Sequence, residues 1–168
     1  MLIHIKSDFT DPETVIHALY CLMPANRLVC RVCLCTGLRI GDAVALKTQD
    51  LEKRSFTVTE QKTGKKKRIT LPQALKRELQ AQAGEIYVFE HRTDPTKHRT
   101  RQAVYVDIKR AAKALRLRGN FTPHSLRKIY AVDIFKRTGD LEKVRKLLNH
   151  DNESVTMLYA LSDILRKK

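Results

Sequence analysis

The chain has 168 residues, of which 42% are hydrophobic, a length and composition that suit one globular domain with an apolar core. The 33 lysines and arginines outnumber the 18 aspartates and glutamates, and the formal net charge of +15 predicts a polyanionic partner, with nucleic acid favoured over an anionic membrane surface. Because the sequence has no apolar run of roughly 18 residues and no charged-then-apolar leader, we expect a cytosolic protein without a membrane span.

Four cysteines, Cys21, Cys30, Cys33 and Cys35, lie in the first quarter of the chain. The stretch "VCRVCLC" could form half of a zinc site, but no second pair of cysteines or histidines is evident downstream. We therefore interpret the cysteines as small buried residues of an apolar helix with reduced thiols, and we expect no metal.

The first third of the chain is predicted to be helical. "DPETVIHALYCLM" begins with Asp11 as a cap and Pro12 at the first helical position. Its apolar stripe consists of Val15, Ile16, Leu19 and Leu22. A second helix, "NRLVCRVCLCTG", is expected to stop at Gly37, and a short helix follows in "GDAVALK".

In the middle of the chain, apolar residues recur at every second position, as in a β-strand. Phe56 and Val58 alternate with threonines, "KTGKKK" forms a turn, and Ile69 and Leu71 alternate again, which predicts a β-hairpin near residues 55–71 with a strongly basic tip. "PQALKRELQAQAG" indicates a helix, and "EIYVF" suggests another strand.

The last third is again predicted to be helical. A basic loop and helix in "TKHRTRQAVYVDIKRAAKALRLRG" precede a helix opened by Pro123 and another capped by Asp140. Ser154 can cap a short helix that carries Val155, Leu158 and Tyr159. The predicted fold is mixed α/β, mainly helical, with one small antiparallel sheet in a single domain over residues 1–168.

Several polar residues could bind phosphate. His124 and Arg127 in "TPHSLRKIYA" leave the same face of a helix start, where free backbone N–H groups also favour an anion, although a solvated polar first turn is the alternative. Arg39, between Leu38 and Ile40, requires a partner for its guanidinium. Asp42 can orient it, either in a structural ion pair or in support of phosphate binding.

The basic segments are interpreted as contacts to the DNA backbone, which carry no sequence information. These residues are Lys65, Lys66, Lys67, Arg68, Lys97, Arg99 and Arg101. Lys62 differs because it lies next to a strand, where it could be held firmly enough to give up a proton.

Four motifs in order, "TGLRIGDAVAL", "QKTGK", "HSLRKIYA" and "LLNHDNESVTMLY", span residues 36–159, and together they resemble the catalytic domain of the tyrosine recombinase (phage integrase) family. The resemblance implies that fold and a site-specific recombinase that cleaves and rejoins DNA through a 3′-phosphotyrosyl intermediate, without metal or cofactor. It also implies a bacterial or phage-encoded protein that assembles as a tetramer on DNA.

The resemblance assigns a role to each matching residue. The family's two arginines correspond to Arg39 and Arg127, its acidic residue to Asp42, its hairpin lysine to Lys62, its two histidines to His124 and His150, and its nucleophile to Tyr159. From the residues alone, packing of Tyr159 in the core is the favoured interpretation, and His150 could simply end a helix.

Two positions differ from the common family pattern: Lys128 replaces a histidine and Asn149 replaces a glycine. The family's N-terminal DNA-clamping domain is expected to be absent, since about 35 residues precede the first motif, so the chain is either an isolated catalytic domain or a short member. The tail "ALSDILRKK" is expected to dock on a neighbouring protomer. The alternatives are a non-catalytic DNA-binding regulator of the same fold and a type IB topoisomerase-like enzyme.

Overall fold

The structure, a computed structural model, describes residues 12–117 and 119–148. Over these residues the chain forms helices around one two-stranded antiparallel sheet, which confirms the predicted fold class. The helices are α1 (Pro12–Tyr20), α2 (Pro24–Thr36), α3 (Ile40–Val44), α4 (Gln73–Gln82), α5 (Arg101–Ala114), α6 (Pro123–Thr138) and α7 (Leu141–Leu148), and the strands are β1 (Phe56–Thr59) and β2 (Lys66–Ile69).

Helix α2 lies at the centre of the domain and packs against α1, α3, α4, α5 and α6. It ends where the sequence predicted, at Gly37, whose φ of 67° is left-handed and whose backbone N–H donates to the carbonyl of Cys33. The left-handed conformation favours glycine because it has no Cβ. The helix therefore ends at Gly37, and Arg39 follows two residues later at the start of α3.

The hairpin has the predicted alternation. Phe56 pairs with Ile69 and both are buried, whereas the threonines of β1 are exposed. Residues two apart on a strand share a face, so the inner face of the hairpin continues to Glu60 after β1 and includes Lys67 on β2.

Two local predictions were wrong. Ile16 is 51% exposed because the face of α1 that meets the core is formed by Val15, Ala18, Leu19 and Leu22. The stretch at 85–89 forms no strand: it makes a single antiparallel bridge, Lys47 with Tyr87, since a 3-10 helix (Thr48–Glu52) begins directly after Lys47 and ends the pairing.

Cys30 and Cys33 are buried in α2 as predicted, Cys21 is half-buried and Cys35 is exposed. Burial raises the pKa of Cys33 to about 12, so this thiol stays protonated at neutral pH. Among residues 12–117 and 119–148, potential metal ligands do not gather in groups of three or more.

No helix in the described ranges combines the length and the apolar character that crossing a bilayer requires. The predictions for Asp11, Asn149 and the helix and tail at 154–168 lie outside the described residues.

Candidate active site

Four separate segments of the chain meet at one cavity of about 490 Å³. The segments are the turn between α2 and α3, the hairpin turn, the start of α5 and the start of α6. The side chains that line the cavity include Arg39, Asp42, Lys62, Arg101, His124 and Arg127. The structure thus brings together four of the six residues predicted to be catalytic, with the acidic residue predicted to support them.

Arg39 lies at the N-terminal end of α3, and its side chain is 13% exposed. Its Nη1 donates to Oε2 of Glu60 over 2.7 Å, and Glu60, which is fully buried, also accepts from the hydroxyl of Thr63 over 2.8 Å. Burial alone would raise the pKa of Glu60, but these hydrogen bonds and the charges of Arg39 and Arg127 outweigh it, so the pKa is lowered. Glu60 is therefore an anion that fixes the guanidinium.

Asp42 joins α3 to the hairpin turn, because its Oδ1 accepts a 2.9 Å hydrogen bond from the backbone N–H of Gln61. Burial raises its pKa, against the lowering effects of the Gln61 hydrogen bond and of the two arginines. Asp42 thereby holds the turn that carries Lys62 against the helix that follows Arg39.

Arg127 lines the cavity, although it is only 3% exposed. Its Nη1 donates to the carbonyl of Gly37, and its Nη2 donates to the carbonyl of Leu148 over 3.2 Å. The side chain thus ties α6 to the C-terminal ends of α2 and α7, where helix carbonyls lack partners within their own helix. His124, one turn before Arg127 on α6, is exposed at the cavity.

The basic residues predicted to contact DNA have different surroundings. Lys65, Lys66 and Arg68 are exposed, and Arg101 lines the cavity. Lys97 is exposed and paired with Asp94 over 2.8 Å. Arg99 is half-buried, and its Nε donates to Oδ1 of Asn26 over 2.6 Å.

Lys67 requires a correction. It was predicted to contact the DNA backbone, but it is 8% exposed, and its Nζ donates to the carbonyl of Thr36 over 2.6 Å. The physical reason is strand alternation: Lys67 lies two residues before the buried Ile69 and therefore points inward, whereas Lys66 and Arg68 point outward. Its ammonium is not on the surface that DNA could reach.

Sequence reasoning also missed Glu60, which pairs with Arg39. The signal was present, since Phe56, Val58 and Glu60 follow a period of two and the inner face could have been extended past the end of β1. Two of the predicted catalytic residues, His150 and Tyr159, lie outside the described residues, which end at Leu148.

Comparison with known proteins identifies the class. A family model described as "Phage integrase family" matches residues 13–165. The probable integrase/recombinase YoeC of Bacillus subtilis is 30% identical over 128 residues, which cover 74% of this chain and 70% of YoeC. The tyrosine recombinase XerC of Mesorhizobium japonicum is 31% identical over 140 residues, which cover 78% of this chain and 45% of XerC.

Solved structures agree with the fold. A lambda integrase (75–356) dimer bound to a COC′ core site superposes with a TM-score of 0.74 at 22% identity, covering 93% of this chain and 60% of that one. The lambda integrase catalytic core superposes with a TM-score of 0.69 at 24% identity, covering 87% of this chain and 92% of that one. The fold is that of the catalytic domain of an integrase.

The chain belongs to the phage integrase family, the tyrosine recombinases. It spans about half the length of several relatives that it matches, including XerC and the Listeria monocytogenes XerD proteins.

Proposed function

We propose that the protein is a site-specific DNA recombinase that cleaves and rejoins DNA strands through a 3′-phosphotyrosyl intermediate. One observation carries the proposal: Arg39, Lys62, His124 and Arg127, which come from distant parts of the sequence, line a single cavity. A cavity with this many cationic or hydrogen-bond-donating side chains suits a phosphodiester.

The cationic side chains would stabilise the negative charge that makes this reaction slow. A DNA phosphodiester is already anionic, and its pentavalent transition state places more charge on the non-bridging oxygens. Arg39 and Arg127 would donate to those oxygens, and His150, two positions after Leu148, would donate another hydrogen bond. Because Glu60 holds Arg39, and the carbonyls of Gly37 and Leu148 hold Arg127, these two guanidiniums need not reorganise during the reaction.

Tyr159 would be the nucleophile. Its hydroxyl oxygen attacks phosphorus, its proton passes to His124 either directly or through the phosphate, and the bond from phosphorus to the 5′ oxygen breaks. Lys62 donates a proton to the departing 5′ oxygen. The products are a 3′-phosphotyrosine and a free 5′ hydroxyl, and attack by a 5′ hydroxyl from another strand reverses the step. The scheme consumes no ATP and uses no metal ion or cofactor.

Double-stranded DNA is the proposed partner, and self-association into a tetramer on DNA is the proposed assembly. The net charge of +15 and the exposed basic hairpin support the first. The similar structures of lambda integrase, which include a dimer bound to a core site and a tetramer bound to a Holliday junction, support both. Leu161, Ile164 and Leu165 of the tail would dock on a neighbouring protomer.

We further propose that residues 1–168 form one catalytic domain. The described core is continuous from α1 to the start of α6, and a smaller cluster between α6 and α7 adjoins it. In this assignment the DNA-clamping function of longer relatives is not carried by these residues.

The test uses a library of labelled duplexes, each with a randomised central stretch and a single nick beside it, so that a cleaved strand cannot be religated. The protein should form a covalent adduct that survives denaturing electrophoresis, and EDTA should not reduce its yield. Tyr159→Phe should form none. Tyr20→Phe, which alters an exposed tyrosine of α1, is the matched control and should react like the wild type.

An adduct formed by Tyr159→Phe would refute the assigned nucleophile. DNA binding by the wild type without any adduct would favour the non-catalytic regulator instead. Sequences recovered from the adducts can then be placed as pairs of sites in a supercoiled plasmid. Relaxation of this plasmid without exchange of strands between the sites would favour the topoisomerase-like alternative.

A further inference from the structure

Two charged side chains, Glu60 and Lys67, lie on the inner face of the hairpin beside Phe56, Val58 and Ile69. Burial of a charge is costly unless partners compensate it. Lys67 is directly opposite Val58, so Glu60, two positions beyond Val58, is its diagonal neighbour on the same face. Neither side chain lines the cavity. Glu60 pairs with Arg39, which does, and Lys67 bonds to the last residue of α2, three positions before Arg39.

Lys67 acts on the end of α2. Its Nζ donates to the carbonyl of Thr36, the last residue of α2, over 2.6 Å and lies 5.4 Å from the centre of the Tyr130 ring. Arg127 donates to the next carbonyl, that of Gly37. Cations are favourable at a helix C-terminus, where unpaired carbonyls and the helix dipole concentrate negative charge. Two cations therefore hold two consecutive carbonyls just before Arg39.

Glu60 acts on the side chain of Arg39. Its Oε2 accepts from Nη1 of Arg39 and from the hydroxyl of Thr63, which belongs to the same turn as Lys62. The end of α2, which leads to Arg39, and the side chain of Arg39 thus contact separate charged residues, both from the hairpin. The bond to Glu60 uses one of the five N–H donors of the guanidinium.

We propose that Lys67 and Glu60 are positioning residues, which fix the backbone and the guanidinium of Arg39 so that it meets the scissile phosphate in the orientation that the reaction needs. The proposal rests on the function proposed above. It adds that the two faces of the hairpin have different roles: the inner face positions Arg39, and the outer face contacts DNA.

Three variants test the proposal in the full chain. Lys67→Met removes the buried charge at similar volume, and Glu60→Gln removes the anion and keeps its shape. Lys66→Met is the matched control, because it removes the same charge from the adjacent, exposed position. Circular dichroism and thermal unfolding establish that each variant is folded. If Lys67→Met does not fold, Glu60→Gln decides the outcome.

The first readout needs no DNA: the ¹⁵N NMR signals of the Arg39 side chain, assigned by comparison with Arg39→Lys. We expect Lys67→Met and Glu60→Gln to shift or broaden them and Lys66→Met to leave them unchanged. Unchanged signals in both test variants would overturn the proposal whether or not the protein cleaves DNA. This readout therefore separates failure of the positioning proposal from failure of the proposed function, which would show itself as a wild type that forms no adduct.

The second readout is adduct formation on a nicked duplex selected from the library. A misplacement of about 1 Å can cost on the order of a hundredfold in rate, so we expect the rate at saturating protein to fall by roughly tenfold to a hundredfold in both test variants. The protein concentration that gives half the maximal rate should stay the same, and so should the salt dependence of binding.

Lys66→Met should instead weaken binding and lower the slope of log affinity against log salt by about one. The same behaviour from Lys67→Met, with its maximal rate retained, would make Lys67 a phosphate contact and refute its positioning role.

Discussion

At the scale of single residues, Lys67 carries an ammonium group that folding buries in the hairpin. Burial lowers the pKa of its ammonium to about 8, and the charges of Arg127 and Arg39 act in the same direction, while Glu60 and Asp42 oppose them. In the unfolded chain the same group has its ordinary pKa of 10.5. The folded protein therefore loses this proton at a lower pH than the unfolded chain does.

This difference predicts how stability depends on pH. Between about pH 8 and 10.5 the unfolded chain binds more protons at Lys67 than the folded one, so the free energy of unfolding should rise with pH across this window, by about 3 kcal/mol in full. Lys67→Met should lack that rise. The measurement is urea unfolding of both proteins at intervals from pH 7 to 10.

The free energy of unfolding of the variant must be subtracted from that of the wild type at each pH, because the buried thiols make stability fall as the pH rises. The raised pKa values of Cys30 and Cys33 lower stability above about pH 9, where these cysteines ionise in the unfolded chain only. This contribution is common to wild type and variant and cancels. If the two curves ran parallel, Lys67 would not be the source of the shift.

At the scale of elements, α2 and α6 pack closely where Gly37, at the end of α2, meets Tyr130 of α6. A Cβ added to Gly37 would lie 2.5 Å from Cδ1 of Tyr130, and the φ of 67° disfavours any other residue. Tyr130 also lies beside Lys67, so displacement of its ring would disturb the carbonyls that Lys67 and Arg127 hold.

Gly37→Ala should therefore destabilise the protein by about 3 kcal/mol, from backbone strain and the collision with Tyr130 together. Gly139→Ala is the matched control, since Gly139 ends α6 with a φ of 66° and a Cβ there would meet nothing within 4 Å. It should cost only about 1 kcal/mol. Thermal unfolding measures both, and equal losses would show that the collision with Tyr130 is relieved at no cost.

The same elements show what the sequence could predict. Helix ends marked by Pro12, Gly37 and Pro123 were readable, because proline and glycine act locally on the backbone. The outward direction assigned to Lys67 was wrong because a run of lysines hides the alternation that the strand imposes. The pairing of Arg39 with Glu60 was not predicted, since residues 21 positions apart meet only after the hairpin has folded over α3.

At the scale of the whole molecule, the positive charge is divided between two tasks. Lys67 and Arg127 are internal and act on helix carbonyls, whereas Lys65, Lys66 and Arg68 face solvent. Only exposed cations can displace counterions from DNA. The net charge of +15 therefore overstates the number of phosphate contacts that the domain can make.

Replacing Lys65 and Lys66 with glutamine should lower the slope of log affinity against log salt by about two, with affinity at low salt reduced accordingly. Filter binding to a random duplex, at salt concentrations from about 50 to 200 mM, measures this slope. The double variant Lys53→Gln, Arg77→Gln is the control, because both residues are exposed and neither lines the cavity. An equal slope change in this control would assign the effect to net charge rather than to the hairpin tip.

The bonds of Arg127 to the ends of two helices have a practical consequence for anyone who wants a catalytically silent protein for co-crystallisation with DNA. Removing this guanidinium would remove hydrogen bonds from the carbonyls of Gly37 and Leu148, so the loss of its proposed catalytic role would be accompanied by weaker contacts between helices. A change at His124, which is exposed at the cavity, would leave the Arg127 bonds that join the three helices in place.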